Sequence, residues 1–437
     1  MKKRIFSIML LITATVLLVA CKKEQPLRIW VGSESKEFYE EKMEEYVAKY
    51  KEEHGEDFPF KISVEGVDTG SAAGTFLDDT EAGADILTVA HDNLGRLTSG
   101  SSSIAPVQSE ALLAQIEADN PEIFLDVIKS TVDGQTYTFG VPYISQSLVL
   151  YYNKKYISEE QVKTWEGILE AAKTANKQAL SVTGTDGYNN SFLLLAQNAE
   201  TGESSLKLYE NGDINENYAT GDDILSVLKW GQRFFNDPNG PKRPTDSGWQ
   251  VEMQEEVSIS TISGAWNYNA ASAALGSDLG IAVLPTFTLT EEDVTGDIEA
   301  GTVMQSGTFA DAKMFVMKKG SEKAEYLEDI LLYLTSKEMQ EESFVAVDNL
   351  PAYKNANTEF ESMADNELAK KQIEMFDKGI PQPFGHDRRF NFYYYSNGGP
   401  ELILEILENP NNNLTTHAQI KAQMKIVEKI WKTGSKE

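Results

Sequence analysis

Apolar positions along this chain follow two spacings, and the switches between them mark the elements. Leu27-Arg28-Ile29-Trp30-Val31 is a short run rich in β-branched and aromatic residues and predicts a strand. Tyr39, Met43, Tyr46, Val47 and Tyr50 then recur at the three- and four-residue steps of one helical face, and Gly55 ends the run. Phe58, Phe60, Ile62 and Val64 alternate, which predicts a second strand. Strand, helix, strand is the opening of a parallel sheet in an α/β lobe.

The pattern continues downstream. Ala84-Asp85-Ile86-Leu87-Thr88-Val89 reads as a buried strand, and His91-Asp92-Asn93-Leu94-Gly95 as the loop at its carboxyl end, where open α/β sheets bind ligands. Phe139 to Tyr143 and Leu148 to Tyr152 predict two strands separated by a polar step, Ser145-Gln146-Ser147, which reads as a crossing between lobes. Thr164-Trp165-Glu166 predicts a helix start, with Thr164 as cap and Glu166 favoured by the helix dipole. Leu279 to Leu284 predicts a strand ended by Pro285, and helical spacing returns at Ala324, Leu327, Ile330, Leu331 and Leu334 and at Ile420, Met424, Val427 and Ile430. Ser101–Ser103 and Asn411–Asn413 mark surface loops, and no internal repeat interrupts the series.

The amino end follows a different logic. Met1-Lys2-Lys3-Arg4 is basic, and Ile5 to Val19 is almost unbroken apolar sequence, too short to span a bilayer. Residues 1–20 are therefore expected to be a secretory signal. Leu18-Val19-Ala20-Cys21 resembles a bacterial lipobox, and Cys21 is the only cysteine in 437 residues. One thiol makes no internal disulfide and no cysteine-rich metal cage, which leaves a stray buried cysteine or a lipid attachment point; its place at the end of the lipobox-like segment makes lipid the expectation. Residues 21–26, short and ending at Pro26, form the expected tether, and 433–437 a tail. The chain is then held at the outer face of the cytoplasmic membrane without spanning it.

Charge narrows the partners. A formal net charge of -29 leaves no clustered basic face for nucleic acid, while 41% hydrophobic content over this length supplies two large lobes. The acidity is a solubility feature and points to no particular ligand.

Five stretches in order resemble the maltose-binding-like solute-binding proteins of ABC importers. They are Leu27–Val31; Val89-Ala90-His91-Asp92; Gly140-Val141-Pro142-Tyr143 with Leu150-Tyr151-Tyr152-Asn153-Lys154; Thr164-Trp165-Glu166; and Ser263-Gly264-Ala265-Trp266 with Gly280 to Pro285. The resemblance runs from Leu27 to about Lys432. It implies an α/β, two-lobed periplasmic-binding-protein-like fold with a hinge and a ligand cleft between the lobes. By this analogy residues 27–145 and 287–345 form lobe 1, and 146–286 and 346–432 form lobe 2. It further implies a carbohydrate ligand, the membrane permease subunits of an ABC importer as partners, a monomer, and no cofactor or metal.

Residue by residue, the resemblance places sugar-binding acids at Glu34 and Asp92, with Asn93 beside the latter. It places a hinge-proximal polar group at Gln146, an aromatic and an amide of the second lobe at Tyr188 and Asn189, a stacking indole at Trp266, and the last cleft aromatics at Tyr393 and Tyr394. A sugar has an apolar face and a rim of hydroxyls, so aromatic planes with carboxylates and amides suit it. Val89, Asn93 and Gln146 stand where maltose binders carry tryptophan, arginine and glutamate, so the resemblance does not carry over maltodextrin specificity. Trp30 and Trp165 are expected in the core, and Asp92 is also placed to cap the helix that follows it.

Other functions have less behind them. Tyr393-Tyr394-Tyr395 near His386 and Asp387 would suit ferric iron, and peptide or polyamine binding is open to the same fold. His54, His91, His386 and His417 lack metalloprotease spacing, and neither a nucleophile elbow nor a P-loop occurs. A surface glycosidase is the remaining enzymatic alternative; the expectation is a binding protein and not an enzyme.

Overall fold

The computed structural model describes residues 25–182, 188–189, 191–207, 209–210, 213–214, 221–243, 248–381 and 399–433. Cys21, the expected signal segment 1–20, His386, Asp387, Tyr393 and Tyr394 lie outside the described residues.

Leu27–Val31 (β1) is a parallel strand lying between Ile62–Gly66 (β2) and Ile86–Ala90 (β3). Lys36–His54 (α1) connects β1 to β2 and buries Phe38, Tyr39, Met43 and Tyr46 against the sheet. It stops at Gly55, whose φ of 74° is left-handed and open to glycine without strain. The alternation expected from Phe58 becomes a strand only at Ile62. Phe58 instead packs edge-on against Tyr46 and Tyr50, with ring centroids 5.6 and 5.1 Å away. Thr69–Asp78 (α2) connects β2 to β3, its first turn closed by the Asp68 carboxylate accepting from Ser71 N at 2.9 Å.

Val141–Gln146 (β4) ends the first stretch of this lobe. Its Ile144 belongs to the first core, whereas Leu148, just beyond Ser145-Gln146-Ser147, belongs to a second. Both sides of the step are tied down: Ser147 Oγ donates to Gln372 O at 2.8 Å, and Leu148 N to Thr308 Oγ1 at 2.9 Å. Val149–Asn153 (β5) is then the middle strand of an antiparallel trio with Ser260–Ser263 (β6) and Leu279–Ala282 (β7). Trp165–Ala175 (α3) opens as expected, Thr164 Oγ1 accepting from Gly167 N at 3.0 Å. Trp165 is fully buried and its indole N–H donates to Ser306 Oγ at 2.9 Å. Asp222–Phe235 (α4) drives Trp230 onto Phe287, ring centroids 4.1 Å apart, and Tyr268–Leu275 (α5) lies beyond β6.

The chain returns to the first lobe through the long strand Phe309–Lys318 (β8). Phe309 packs in the second core and Ala310 in the first, so the passage falls between them. β8 runs antiparallel to both β3 and β4. The passage thus lies beyond residue 287, the boundary expected from the sequence. Phe287, Leu289 and Met304 pack in the second core because Thr286–Thr288 and Val303–Gln305 pair with each other and, through the latter, with Gln197–Asn198.

The last passage also differs from the expected residue 346. Ala324–Leu334 (α6) and Met339 of Lys337–Val347 (α7) pack in the first core, as does Ala352. In Glu367–Phe376 (α8), Met375 joins the second core and Phe376 the first, so the change of lobe occurs there. Gly399–Glu408 (α9) and His417–Thr433 (α10) complete the second lobe around Ile403, Leu407, Ile420 and Val427. The product is two α/β lobes built from non-adjacent stretches of chain.

Candidate functional site

The carboxyl ends of the first lobe's strands open on the second lobe across a cavity of 670 Å³. Each strand end contributes through the turn that follows it. Glu34 lies in the turn Ser33–Ser35 after β1, Asp68, Thr69 and Gly70 form the start of α2 after β2, and Ala90 closes β3. The crossing strands add Ser145 and Gln146 from β4 and Asp311 and Lys313 from β8. From the second lobe come Tyr188, Asn189, Trp266, Tyr268 and Asn269, and from the segment after α7 come Asp348 and Asn349.

Trp266 is 46% exposed, an unusual state for so large an apolar side chain. It sits in the turn Ala265–Asn267 that links β6 to α5. Its ring inclines at 46° to Tyr188 with centroids 6.1 Å apart, and Tyr188 stacks in turn on Phe309 at 5.9 Å. An aromatic wall therefore runs from the second core to the cavity, ending in a half-exposed indole. Gln146 stands on the opposite side at the end of β4, directly across from Asp311.

Five of the site residues expected from sequence line this one cavity: Glu34, Gln146, Tyr188, Asn189 and Trp266. Asp92 and Asn93 do not. Asn93 Nδ2 donates to Asp92 Oδ1 at 2.8 Å and to Ala90 O at 3.2 Å, turning both side chains into the fold. The Asp92 carboxyl is buried, and that burial, reinforced by the charge of Asp311, pushes its pKa up to about 7 against the pull of His91 and Arg96. His91, fully buried, places Nδ1 2.8 Å from Asp311 Oδ1. Of His91, Asp92 and Asp311, only Asp311 borders the cavity. Asp92 makes no side-chain cap either.

Sequence reasoning passed over Asp68, Asp311, Lys313 and Asn269. Asp311 and Lys313 left a trace, since two charges two residues apart in the apolar run Phe309 to Val316 put both on one face of a strand. A second cavity, of 580 Å³, lies on the outer side of the first lobe beside Tyr46 and Tyr333, and touches only that lobe.

Both the sequence and the fold of this chain are matched by known proteins. A family model described as bacterial extracellular solute-binding protein matches residues 45–371. The chain belongs to this family. A curated relative from Streptococcus pneumoniae, named a maltooligosaccharide ABC transporter solute-binding lipoprotein, is 25% identical over 406 residues, covering 85% of each chain. Among solved structures, a maltodextrin-binding protein of L. casei without ligand superposes with a TM-score of 0.72 at 19% identity, covering 93% of this chain and 98% of its own. A cyclo/maltodextrin-binding protein complexed with maltotetraose gives 0.69 at 18% identity, covering 95% of this solute-binding chain and all (100%) of its own. These likenesses establish the two-lobed fold of the solute-binding protein independently of its cores.

Proposed function

We propose that this solute-binding protein captures an oligosaccharide in the cleft between its lobes and hands it unaltered to the permease subunits of an ABC importer. The observation that carries the reading is Trp266, a half-exposed indole on one wall of a cavity whose other wall carries carboxylates, an amide and Lys313. A flat apolar plane faced by hydroxyl-binding groups suits a sugar better than a peptide or a metal ion. The maltooligosaccharide relative and the maltotetraose-bound neighbour support the same ligand class. The family's members are binding proteins, which supports capture without turnover.

The mechanism follows from the passages. Three short segments join the lobes, so closure is a hinge motion about them, and a sugar contacting both walls favours the closed form by the contacts it gains there. A transporter then distinguishes loaded from empty by shape. Lipid on Cys21, at the outer face of the membrane, would keep a monomer near its permease, and the lipoprotein name of the relative supports that placement.

A thermal-shift screen tests the ligand class, with maltose, maltotriose and maltotetraose set against peptides, ferric citrate and polyamines. A ligand that binds only the folded chain raises the melting temperature by mass action. A shift with the oligosaccharides is expected. Silence from every sugar together with a shift from iron or a polyamine would keep the fold and overturn the function.

A further inference from the structure

β8 is buried at every position from Phe309 to Met317 except Lys313. A lysine inside so apolar a strand has to lead its ammonium to a polar surface, and here that surface is the cleft. The local backbone turns it there. Lys313 is paired with Ile144 and Met314 with Pro142, so Tyr143 on β4 has no opposite number and the two crossing strands carry a bulge at this point. Pro142 has no N–H to give a ladder, and bulges bend a strand pair and redirect the side chains beside them.

Among the described residues the ammonium meets no partner within hydrogen-bond distance. The nearest described carboxylate oxygen is Glu34 Oε1 at 3.7 Å, although the Lys313 side chain is only 14% exposed. Gly32 leaves room for the Glu34 carboxylate: a Cβ there would stand 2.5 Å from it. A donor with three protons and an acceptor with two oxygens therefore face the cleft side by side, neither consumed by the other.

We infer that Lys313 and Glu34 together read two adjacent hydroxyls of the ligand, Lys313 donating to one oxygen while the neighbouring O–H donates to Glu34, and that Lys313 is a specificity-determining residue. This inference rests on the oligosaccharide reading and adds to it what is recognised: a pair of vicinal hydroxyls held at the first-lobe wall, opposite the face stacked on Trp266. A charged donor left unmet in a closing cleft penalises a sugar lacking its hydroxyl, which is how such a pair selects. The pairing also ties the ligand to β8, one of the strands that passes between lobes.

The test is calorimetric titration of the purified protein with maltotriose and with maltotrioses lacking single hydroxyls, for wild type, Lys313→Met, Glu34→Gln and Trp266→Ala. Lys313→Met keeps the length of the side chain in its apolar strand, and thermal melts of each variant verify folding. At least a tenfold loss with maltotriose is expected for Lys313→Met. One deoxy sugar should already bind the wild type that weakly and lose nothing further in the variant. Glu34→Gln, on an exposed turn, should show the same pattern for the adjacent hydroxyl even if Lys313→Met folds poorly. Wild-type binding that Trp266→Ala weakens while Lys313→Met and Glu34→Gln leave it within twofold would overturn this inference and spare the oligosaccharide reading. No binding by the wild type would overturn that reading, and this inference with it.

Discussion

Trp266 and Gly264 occupy one space: a Cβ on residue 264 would stand 2.0 Å from the indole ring. The indole folds back over the glycine that precedes its turn, while Gly264 O accepts a hydrogen bond from Tyr151 OH at 3.0 Å. The backbone beneath the indole is thereby pinned to the middle strand of the second-lobe sheet. The aromatic platform is thus set by a residue with no side chain of its own.

Gly264→Ala should therefore displace the Trp266 ring and weaken oligosaccharide binding about as much as Trp266→Ala, at least tenfold or about 1.4 kcal/mol. Titration of both variants checks this, with the Trp fluorescence of the apo protein shifting in Gly264→Ala. Equal affinity of Gly264→Ala and wild type would mean that the ring's position is not fixed by this contact.

Asp92 gives a pH dependence whose sign is the reverse of an ion-paired aspartate. Its folded pKa is raised from 3.8 to about 7, so the folded state holds a proton that the unfolded state releases. The contribution to stability is full below the unfolded value and is lost as pH rises toward 7. Asp92→Asn, which keeps a neutral side chain at every pH, should match wild type near pH 4 and melt higher than wild type at pH 8. Parallel melting curves across that window would contradict the burial of this carboxyl.

Trp165 separates stability from binding. It is fully buried in the second core and lies outside the cleft lining, with its N–H on Ser306. Trp165→Ala should cost about 3–5 kcal/mol, the range for losing a large core aromatic, and lower the denaturation midpoint accordingly. Affinity of the remaining folded fraction should stay within a few-fold of wild type.

Gln146 stands across from Asp311 at the point where two crossing strands meet. Gln146→Ala should weaken binding more modestly than Trp266→Ala, because it removes an amide from the cleft wall without disturbing the aromatic platform. Small-angle scattering with and without maltotriose tests its share in closure: a smaller ligand-induced compaction than wild type is expected, and no change in either quantity would take Gln146 out of the mechanism.

Much of this architecture was legible along the chain because its signals are local. The strand Leu27–Val31, the cap at Thr164 and the polar step at Ser145–Ser147 each announce themselves within a few residues. The return passage was not legible at 287, because Phe287 and Met304 are apolar and suit either core. Which core receives them depends on the pairing of Met304 and Gln305 with Asn198 and Gln197, more than a hundred residues earlier in the chain. Asp92 looked like a cleft acid by its place after a strand, and only the hydrogen bonds of Asn93 turn it inward. Lys313 was hidden for the opposite reason. A lysine in a strand ordinarily marks a solvent face, and here the face it marks is the cleft.

The central claim, capture without turnover in the cleft between the lobes, is tested most directly by one calorimetric titration of maltotetraose into the protein, with the sugar recovered afterwards and sized by chromatography. One site per chain and intact maltotetraose after overnight incubation is the predicted result. Shortened maltotetraose would make the protein a glycosidase, and the absence of binding would remove the sugar from the cleft.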